Sequence, residues 1–234
     1  MIYIEILRVN NLSKKYTNGK NVFYALKNIN FSVKKGEFVA ITGKSGSGKS
    51  TLLHILSGLD SKDEGEVIID NQNIFELDDN DLTIFRRKNI GIIYQFYNLL
   101  PMLDVKENIL MPTLLDKRKV NKKRFNELIK TLELENKLGS MPNNLSGGQQ
   151  QRTAIGRALI NRPKILFADE PTGNLDTYNT KKIMKLLEYY NKKFKQTIIM
   201  VTHDNSLVQR CDRNIVIKDG KIIKDEYKKA NKKK

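Results

Sequence analysis

Residues 43–51 read Gly-Lys-Ser-Gly-Ser-Gly-Lys-Ser-Thr, and the segments on either side fix their setting. Before them stands Phe38-Val39-Ala40-Ile41-Thr42, a short apolar strand; after them Leu52-Leu53-His54-Ile55-Leu56 continues into a helix. Gly43, Gly48, Lys49 and Ser50 satisfy the spacing G-x-x-x-x-G-K-[ST], with Ser45, Gly46, Ser47 and Thr51 completing the run. The glycines let backbone N–H groups wrap β- and γ-phosphates. Lys49 adds a point charge, and the Ser50 hydroxyl is placed for Mg²⁺. A plain Gly/Ser connector would not need a buried strand before it and a helix after it.

A second anion cradle is written at residues 145–152, Leu-Ser-Gly-Gly-Gln-Gln-Gln-Arg. The Ser-Gly-Gly turn feeds straight into a helix, whose unpaired N–H groups and positive dipole end attract an anion. Ser146 contributes a hydroxyl, Gly147 and Gly148 allow close backbone approach, and Gln149 opens the helix. One chain needs one cradle for its own nucleotide. The second is best explained as closing over a nucleotide held by another copy.

Two further apolar strands end in polar groups. Ile165-Leu166-Phe167-Ala168 runs into Asp169-Glu170, and Thr197-Ile198-Ile199-Met200-Val201-Thr202 runs into His203. The C-terminal edge of a parallel sheet is where ligands bind, so Asp169 is expected to hold Mg²⁺. Glu170 points elsewhere, because side chains alternate along an extended chain, and is free to polarise an attacking water. His203 at the same edge is placed to hydrogen-bond a γ-phosphate. The other histidine, His54, lies inside the helix and is read as a packing or surface residue. Gln95, following the apolar run Ile90–Tyr94, carries an amide that can reach Mg²⁺ or the lytic water.

The remaining pattern is α/β. Alternating stretches at Ile2–Val9, Ala25–Val33 and Glu66–Asp70 predict antiparallel strands, and the four apolar runs predict parallel ones. Helical patterns fall at Ser50–Leu59, Lys122–Leu134, Gln149–Ile160 and Thr180–Phe194, and a tight hairpin joins Ile215–Ile217 to Ile222-Ile223 across 218–221. The strand-free stretch 96–160 predicts a helical lobe inserted into a core made of 1–95 and 161–226, with a frayed basic tail at 227–234.

Of the 234 residues 39% are hydrophobic, enough for a core. The single cysteine, Cys211, precludes an internal disulfide and suits a reducing compartment. Met1–Ile6 lacks the basic and long apolar regions of a signal peptide, and no run approaches the ~18 apolar residues of a spanning helix. A soluble protein reaching a membrane only through a partner is expected. The formal charge is +16, and basic residues gather at 117–124, at 181–185 and at Lys232–Lys234. Solvated helix faces with a basic tail, an anionic membrane surface and nucleic acid all fit that charge. Nucleic acid is the least favoured, since no aromatic residues are interleaved for stacking and no base-reading helix stands out.

With these pieces in order, the chain resembles the nucleotide-binding subunit of ATP-binding-cassette (ABC) transporters over about residues 4–225. The resemblance makes 43–51 the phosphate loop, Gln95 the Q-loop glutamine and Leu145–Gln149 the signature. It makes Asp169 the Walker B acid, Glu170 the catalytic base, Asn174-Leu175-Asp176 the D-loop and His203 the switch histidine. It implies an α/β P-loop NTPase core with a mostly parallel central sheet, an N-terminal antiparallel β subdomain and an all-helical signature subdomain. ATP and Mg²⁺ are the implied cofactors, with Ser50, Gln95 and Asp169 as the metal set and adenine stacked on Tyr16, or alternatively Tyr24. The partners implied are a second copy, head to tail, and an integral membrane permease that meets Phe96–Pro101. The subunit would then sit in the cytoplasm, on the inner face of the cell membrane.

Gly58-Leu59-Asp60, Asn98–Pro101 with Glu107-Asn108, and Glu170–Asp176 are similar to the branch for lipoprotein release, macrolide export and antimicrobial-peptide resistance. Its members often move an external domain rather than pass substrate through a channel. A cell-division ATPase, or a soluble ABC ATPase acting on ribosomes or DNA, are the alternatives. The stretch from Lys49 to Ser146 is too short for the long coiled coil of DNA-repair members, and translation-type members carry two cassettes. One departure is Gly156, where alanine is common; it should soften its helix by ~1 kcal/mol.

Overall fold

The computed structural model of the chain describes residues 4–19 and 21–228. Strands β1 (Glu5–Asn18) and β2 (Asn21–Lys34) form a long antiparallel pair, and β3 (Phe38–Thr42) leads through the phosphate loop into α1 (Lys49–Leu56). There follow β4 (Glu64–Ile69), β5 (Gln72–Asn73), α2 (Asp79–Asn89) and β6 (Ile90–Ile93). A strand-free stretch then holds α3 (Val105–Leu115), α4 (Lys122–Thr131) and α5 (Gly147–Leu159). The chain closes with β7 (Ile165–Asp169), α6 (Thr177–Phe194), β8 (Thr197–Val201), the single turn α7 (Asn205–Val208), β9 (Arg213–Lys218) and β10 (Lys221–Tyr227).

Two sheets result. One has the order β10-β9-β3-β8-β7-β6, parallel throughout except for β10 on β9; the other, β2-β1-β4-β5, is antiparallel. The parallel strands read as unbroken apolar runs because both their faces are covered. Val39 and Ile41 of β3 point into a core shared with α1 and the antiparallel sheet. Phe38 and Ala40 point into a second core shared with α3, α4, α5 and α6. The alternation repeats in β7 and β8, where Phe167 and Ile199 face the first core and Leu166 and Ile198 the second. All parallel strands therefore end on one edge, and the loops that leave that edge carry the polar residues picked out above.

Several boundaries differ from the sequence reading. The first strand runs on to Asn18, paired with β2 along its length through several register shifts, and residues 1–3 lie outside the described part. Helix α1 stops at Leu56, α4 stops at Thr131, and α6 begins at Thr177, capped by Asp176. Helix α2 lacks a strong apolar stripe, because none of its residues is fully buried and only Leu82 and Phe85 pack partly against the core. Its signals are instead electrostatic. Asp78 caps it, Asp79 and Asp81 sit in the first turn, and Arg86, Arg87 and Lys88 sit in the last. The basic tail starts later than 227. Tyr227 belongs to β10 and the Lys228 N–H donates to the Asp212 carbonyl at 2.7 Å, while 229–234 lie outside the described residues. Gly156 has a packing role, since an added Cβ would stand 2.8 Å from Leu132 Cδ1 and 2.9 Å from Ile109 Cδ1.

One ion cluster, with Arg213 and Glu37 buried and Asp225 exposed, ties the edge of the parallel sheet to the antiparallel sheet. Arg213 of β9 is 7% exposed and donates both Nε and Nη2 to the Asp225 carboxylate of β10 at 2.5 Å. Its Nη1 donates to the Ser32 carbonyl of β2 at 2.6 Å and lies 3.5 Å from the buried Glu37. Removing Arg213 leaves the buried Glu37 without its cation, while the exposed Asp225 recovers water, so Arg213→Ala should cost about 3 kcal/mol of unfolding free energy. Arg210→Ala, which breaks the half-exposed pair with Glu188, should cost under about 1 kcal/mol. Urea unfolding of the two variants checks the contrast.

Candidate nucleotide site

The phosphate loop is wedged between two other segments, and its backbone has no alternative path. Gly48 has φ 102°, and an added Cβ would stand 2.3 Å from the Ala25 carbonyl of β2, so only glycine fits. Lys49 is buried, and its ammonium donates to the Lys44 carbonyl at 2.9 Å, holding the charge over the loop. Ser47 Oγ is buried without a hydrogen-bond partner, an unmet donor inside the cradle.

Ser50 Oγ donates to Asp169 Oδ1 at 3.3 Å, joining the start of α1 to the end of β7. His54 lies one turn beyond Ser50 on the same helix face, and its Nε2 is 3.9 Å from Asp169 Oδ2. His54, read from sequence as a packing or surface residue, is thus a neighbour of the acid. The i, i+4 spacing from Ser50 is the signal that could have placed it. Burial pushes the Asp169 carboxyl above its usual range, opposed by His54, Ser50 and Lys49.

Glu170 follows with φ 45°, a left-handed conformation uncommon outside glycine and asparagine. Its N–H donates to the Val201 carbonyl at 3.0 Å, which locks the turn, and its Oε1 lies 3.0 Å from His203 Nδ1. Two adjacent strand ends therefore bring a carboxylate and an imidazole into contact. Both border a crevice of about 480 Å³ between α6 and α7. No residue of 43–51 lines that crevice, although Ser50 bonds Asp169, the residue before Glu170.

Gln95 is positioned by the loop before α6. Its amide lies against Gly173, and its carbonyl accepts from Asn174 Nδ2 at 3.1 Å. Among the described residues it has no hydrogen bond to Ser50 or Asp169. Tyr16 stands beside the loop, with its hydroxyl against Thr51 and donating to Asp60 Oδ2 at 2.9 Å. Lys14 donates to Asp60 Oδ1 at 3.2 Å and lies 5.3 Å from the Tyr16 ring centroid, so the ring is fixed while 44% exposed. Burial raises the Tyr16 phenol, with the Asp60 carboxylate adding to the effect. Tyr24 is exposed and flanked by Lys15 and Lys27.

Ser146 and Gln149 form a capping box: Gln149 N–H donates to Ser146 Oγ at 3.4 Å, and Ser146 N–H to Gln149 Oε1 at 2.9 Å. The hydroxyl accepts in that contact and keeps its own proton for another acceptor. The cradle is held against α6, since an added Cβ on Gly148 would stand 2.3 Å from Asn179 Oδ1. Two residues on, Gln151 is fully buried and donates from Nε2 to the Pro171 carbonyl at 2.5 Å and to the Tyr94 carbonyl at 3.4 Å. It thereby links the helix to the residues beside Glu170 and Gln95. Within one chain no hydrogen bond or ion pair joins Ser146–Gln149 to residues 43–51 among the described residues.

Comparison with known proteins gives one answer. A family model described as ABC transporter matches residues 26–173. The uncharacterized ABC transporter ATP-binding protein MJ0796 of Methanocaldococcus jannaschii is 45% identical over 227 residues, covering 94% of this chain and 97% of its own. The lipoprotein-releasing system ATP-binding protein LolD of Cytophaga hutchinsonii is 45% identical, covering 94% and 99%. A dimeric structure of MJ0796 in a post-hydrolysis state bound to ADP and Pi superposes with TM-score 0.88 at 44% identity, covering 95% of this chain and 98% of the other. No helix among the described residues is long and apolar enough to cross a membrane.

The contact between Gly148 and Asn179 yields a test that needs no ligand. Gly148→Ala forces the Asn179 side chain out of its Nδ2 hydrogen bond to Asp176, leaving the backbone cap bond in place, and should cost about 1–3 kcal/mol. Asn179→Gly in the same chain should restore part of that loss. A double-mutant cycle in urea unfolding measures the coupling.

Proposed function

The chain belongs to the ABC transporter family as an ATP-binding, ATP-hydrolysing subunit, and we propose that two copies close head to tail on two ATP to drive an export-type membrane permease. The observation that carries the head-to-tail reading is the separation of the two cradles within one chain, each left with unmet donors. ATP held by Gly43–Thr51 of one copy would be covered by Ser146–Gly148 of the next. Relatives include the lipoprotein-releasing protein above and a bacitracin export ATP-binding protein BceA of Halalkalibacterium halodurans, 43% identical over 225 residues. They support the lipoprotein or antimicrobial-peptide side of the family. We place the subunit on the inner face of the cell membrane, attached through its permease at Phe96–Pro101.

In this reading Tyr16 stacks the adenine, already pinned by Asp60 and Lys14. Lys49 leaves the Lys44 carbonyl for the β- and γ-phosphates, exchanging a neutral acceptor for charged ones. Glu170 accepts the proton of the attacking water, and His203, 3.0 Å away, orients that carboxylate and bonds the γ-phosphate. Ser50 and Asp169 are hard oxygen donors that already face each other, which fits Mg²⁺, with Gln95 able to join them. When bound, Mg²⁺ neutralises developing phosphate charge.

Glu170→Gln should lower kcat by about 10²–10⁴ and leave an ATP-bound dimer on size exclusion. Lys49→Ala should weaken ATP binding by about 10–100-fold, read by equilibrium dialysis. The pH dependence follows from Asp169. Because burial raises its pKa, a proton competes with the metal at pH values where an ordinary aspartate is already ionised. Affinity for Mg-nucleotide should therefore rise with pH through that window, and the dependence should be lost in Asp169→Asn, as measured by calorimetry.

A further inference from the structure

The loop after Gln95 carries two of the most exposed apolar side chains of the fold, Phe96 at 72% and Met102 at 76%. Its backbone is unusual as well. Tyr97 and Asn98 are both left-handed, with φ 58° and 48°, and a left-handed L-residue costs roughly 1–2 kcal/mol. Such a shape persists only where its surroundings impose it.

What imposes it is Arg157, on α5. Its Nη1 donates to the Asn98 carbonyl at 2.6 Å and its Nη2 to the Tyr97 carbonyl at 3.0 Å. Among the described residues Arg157 has no carboxylate partner, and burial holds its pKa below the ordinary value. A desolvated guanidinium satisfied by carbonyls alone stays in place only while those carbonyls do. The Tyr97 hydroxyl also packs over Gly147, 2.9 Å from where a Cβ would stand. The far end of the loop is tied by Asn108 of α3, which is fully buried. Its Oδ1 accepts the Leu100 N–H at 2.9 Å, and its Nδ2 donates to the carbonyls of Leu103 and Asp104 at 2.8 and 3.0 Å. Helices α3 and α5 pack at Gly156 and Ile109. Just before the loop the tie is to the other side, since the Gln95 carbonyl is held by Asn174 next to α6. One residue earlier, α5 reaches the chain again through the longer 3.4 Å bond from Gln151 to the Tyr94 carbonyl.

We propose that Arg157 is a positioning residue that fastens the partner-facing loop to the signature helix, so that the loop travels with Ser146–Gly148 when nucleotide draws that helix in. It acts through the Tyr97 and Asn98 carbonyls and touches neither nucleotide nor phosphate loop. The identity of the loop's partner rests on the reading above; the fastening does not.

The chain contains no tryptophan, so Phe96→Trp introduces a single indole emitter on the loop. In that background a non-hydrolysable ATP analogue should change the indole emission. Arg157→Met should abolish most of the change without altering nucleotide affinity, and Arg157→Lys, which reaches one carbonyl, should keep part of it. Thermal unfolding of all three confirms that folded proteins are compared. A full emission change in Arg157→Met overturns the proposal, as does an unchanged emission in the protein that keeps Arg157. In the reconstituted permease complex, Arg157→Met should lose stimulated ATPase and retain the unstimulated rate. Stimulation equal to that of the Arg157 complex overturns the inference. Absence of stimulation in the Arg157 complex counts against the permease reading instead, and the emission change still decides the role of Arg157.

Discussion

Leu52, Leu53, Ile55 and Leu56 expose no surface to solvent, and they are half of an eight-residue helix. A helix that short does not hold together in water on its own. Burying four such side chains stabilises by roughly 6–12 kcal/mol as an upper estimate, comparable to the whole net stability of a typical domain. Helix α1 therefore exists because it is clamped between the two sheets, and everything at its N-terminus inherits that fixed position. The phosphate loop, the Ser50 hydroxyl and the ring of His54 face Asp169 because α1 cannot rotate without exposing its leucines.

That clamp explains why so much of the site was readable in the sequence. Strands buried on both faces are written as short apolar runs, so the edge where β3, β7 and β8 end could be located before any coordinates. Once the edge was located, the polar residues following each run became candidates. The contacts that escaped notice are of another kind. Tyr16 and Asp60 are 44 residues apart, and Gln151 meets Pro171 across 20. They are polar pairs set by how loops fold back, which leaves no periodic trace. A glutamine in a run of three glutamines reads as a solvent-facing residue, yet Gln151 is the fully buried one. Helix α2 is hard to see for the converse reason, since only Leu82 and Phe85 pack partly against the core and its clearest marks are its capping and charge order.

The signature helix emerges as a junction. Its first turn presents the second cradle, Gln151 reaches the backbone on both sides of the acid edge, and Arg157 holds the loop beyond Gln95. Three consecutive turns of α5 thus speak to three different parts of the molecule, and Gly156 lets α3 lie close enough to share the load. These connections lie in one rigid rod rather than in a flexible linker.

Among the described residues Arg157 meets carbonyls and no carboxylate, and this governs how its clamp behaves in salt. Surface cations such as Lys117, Lys119 and Lys122 act over a distance that shrinks to ~8 Å at physiological ionic strength and to ~3 Å at 1 M. A partly buried guanidinium bonded to two backbone carbonyls is shielded from mobile ions and hardly responds. Added salt should thus weaken any attraction exerted by the lysine clusters while leaving the loop's attachment to α5 intact, so that the two respond to ionic strength independently.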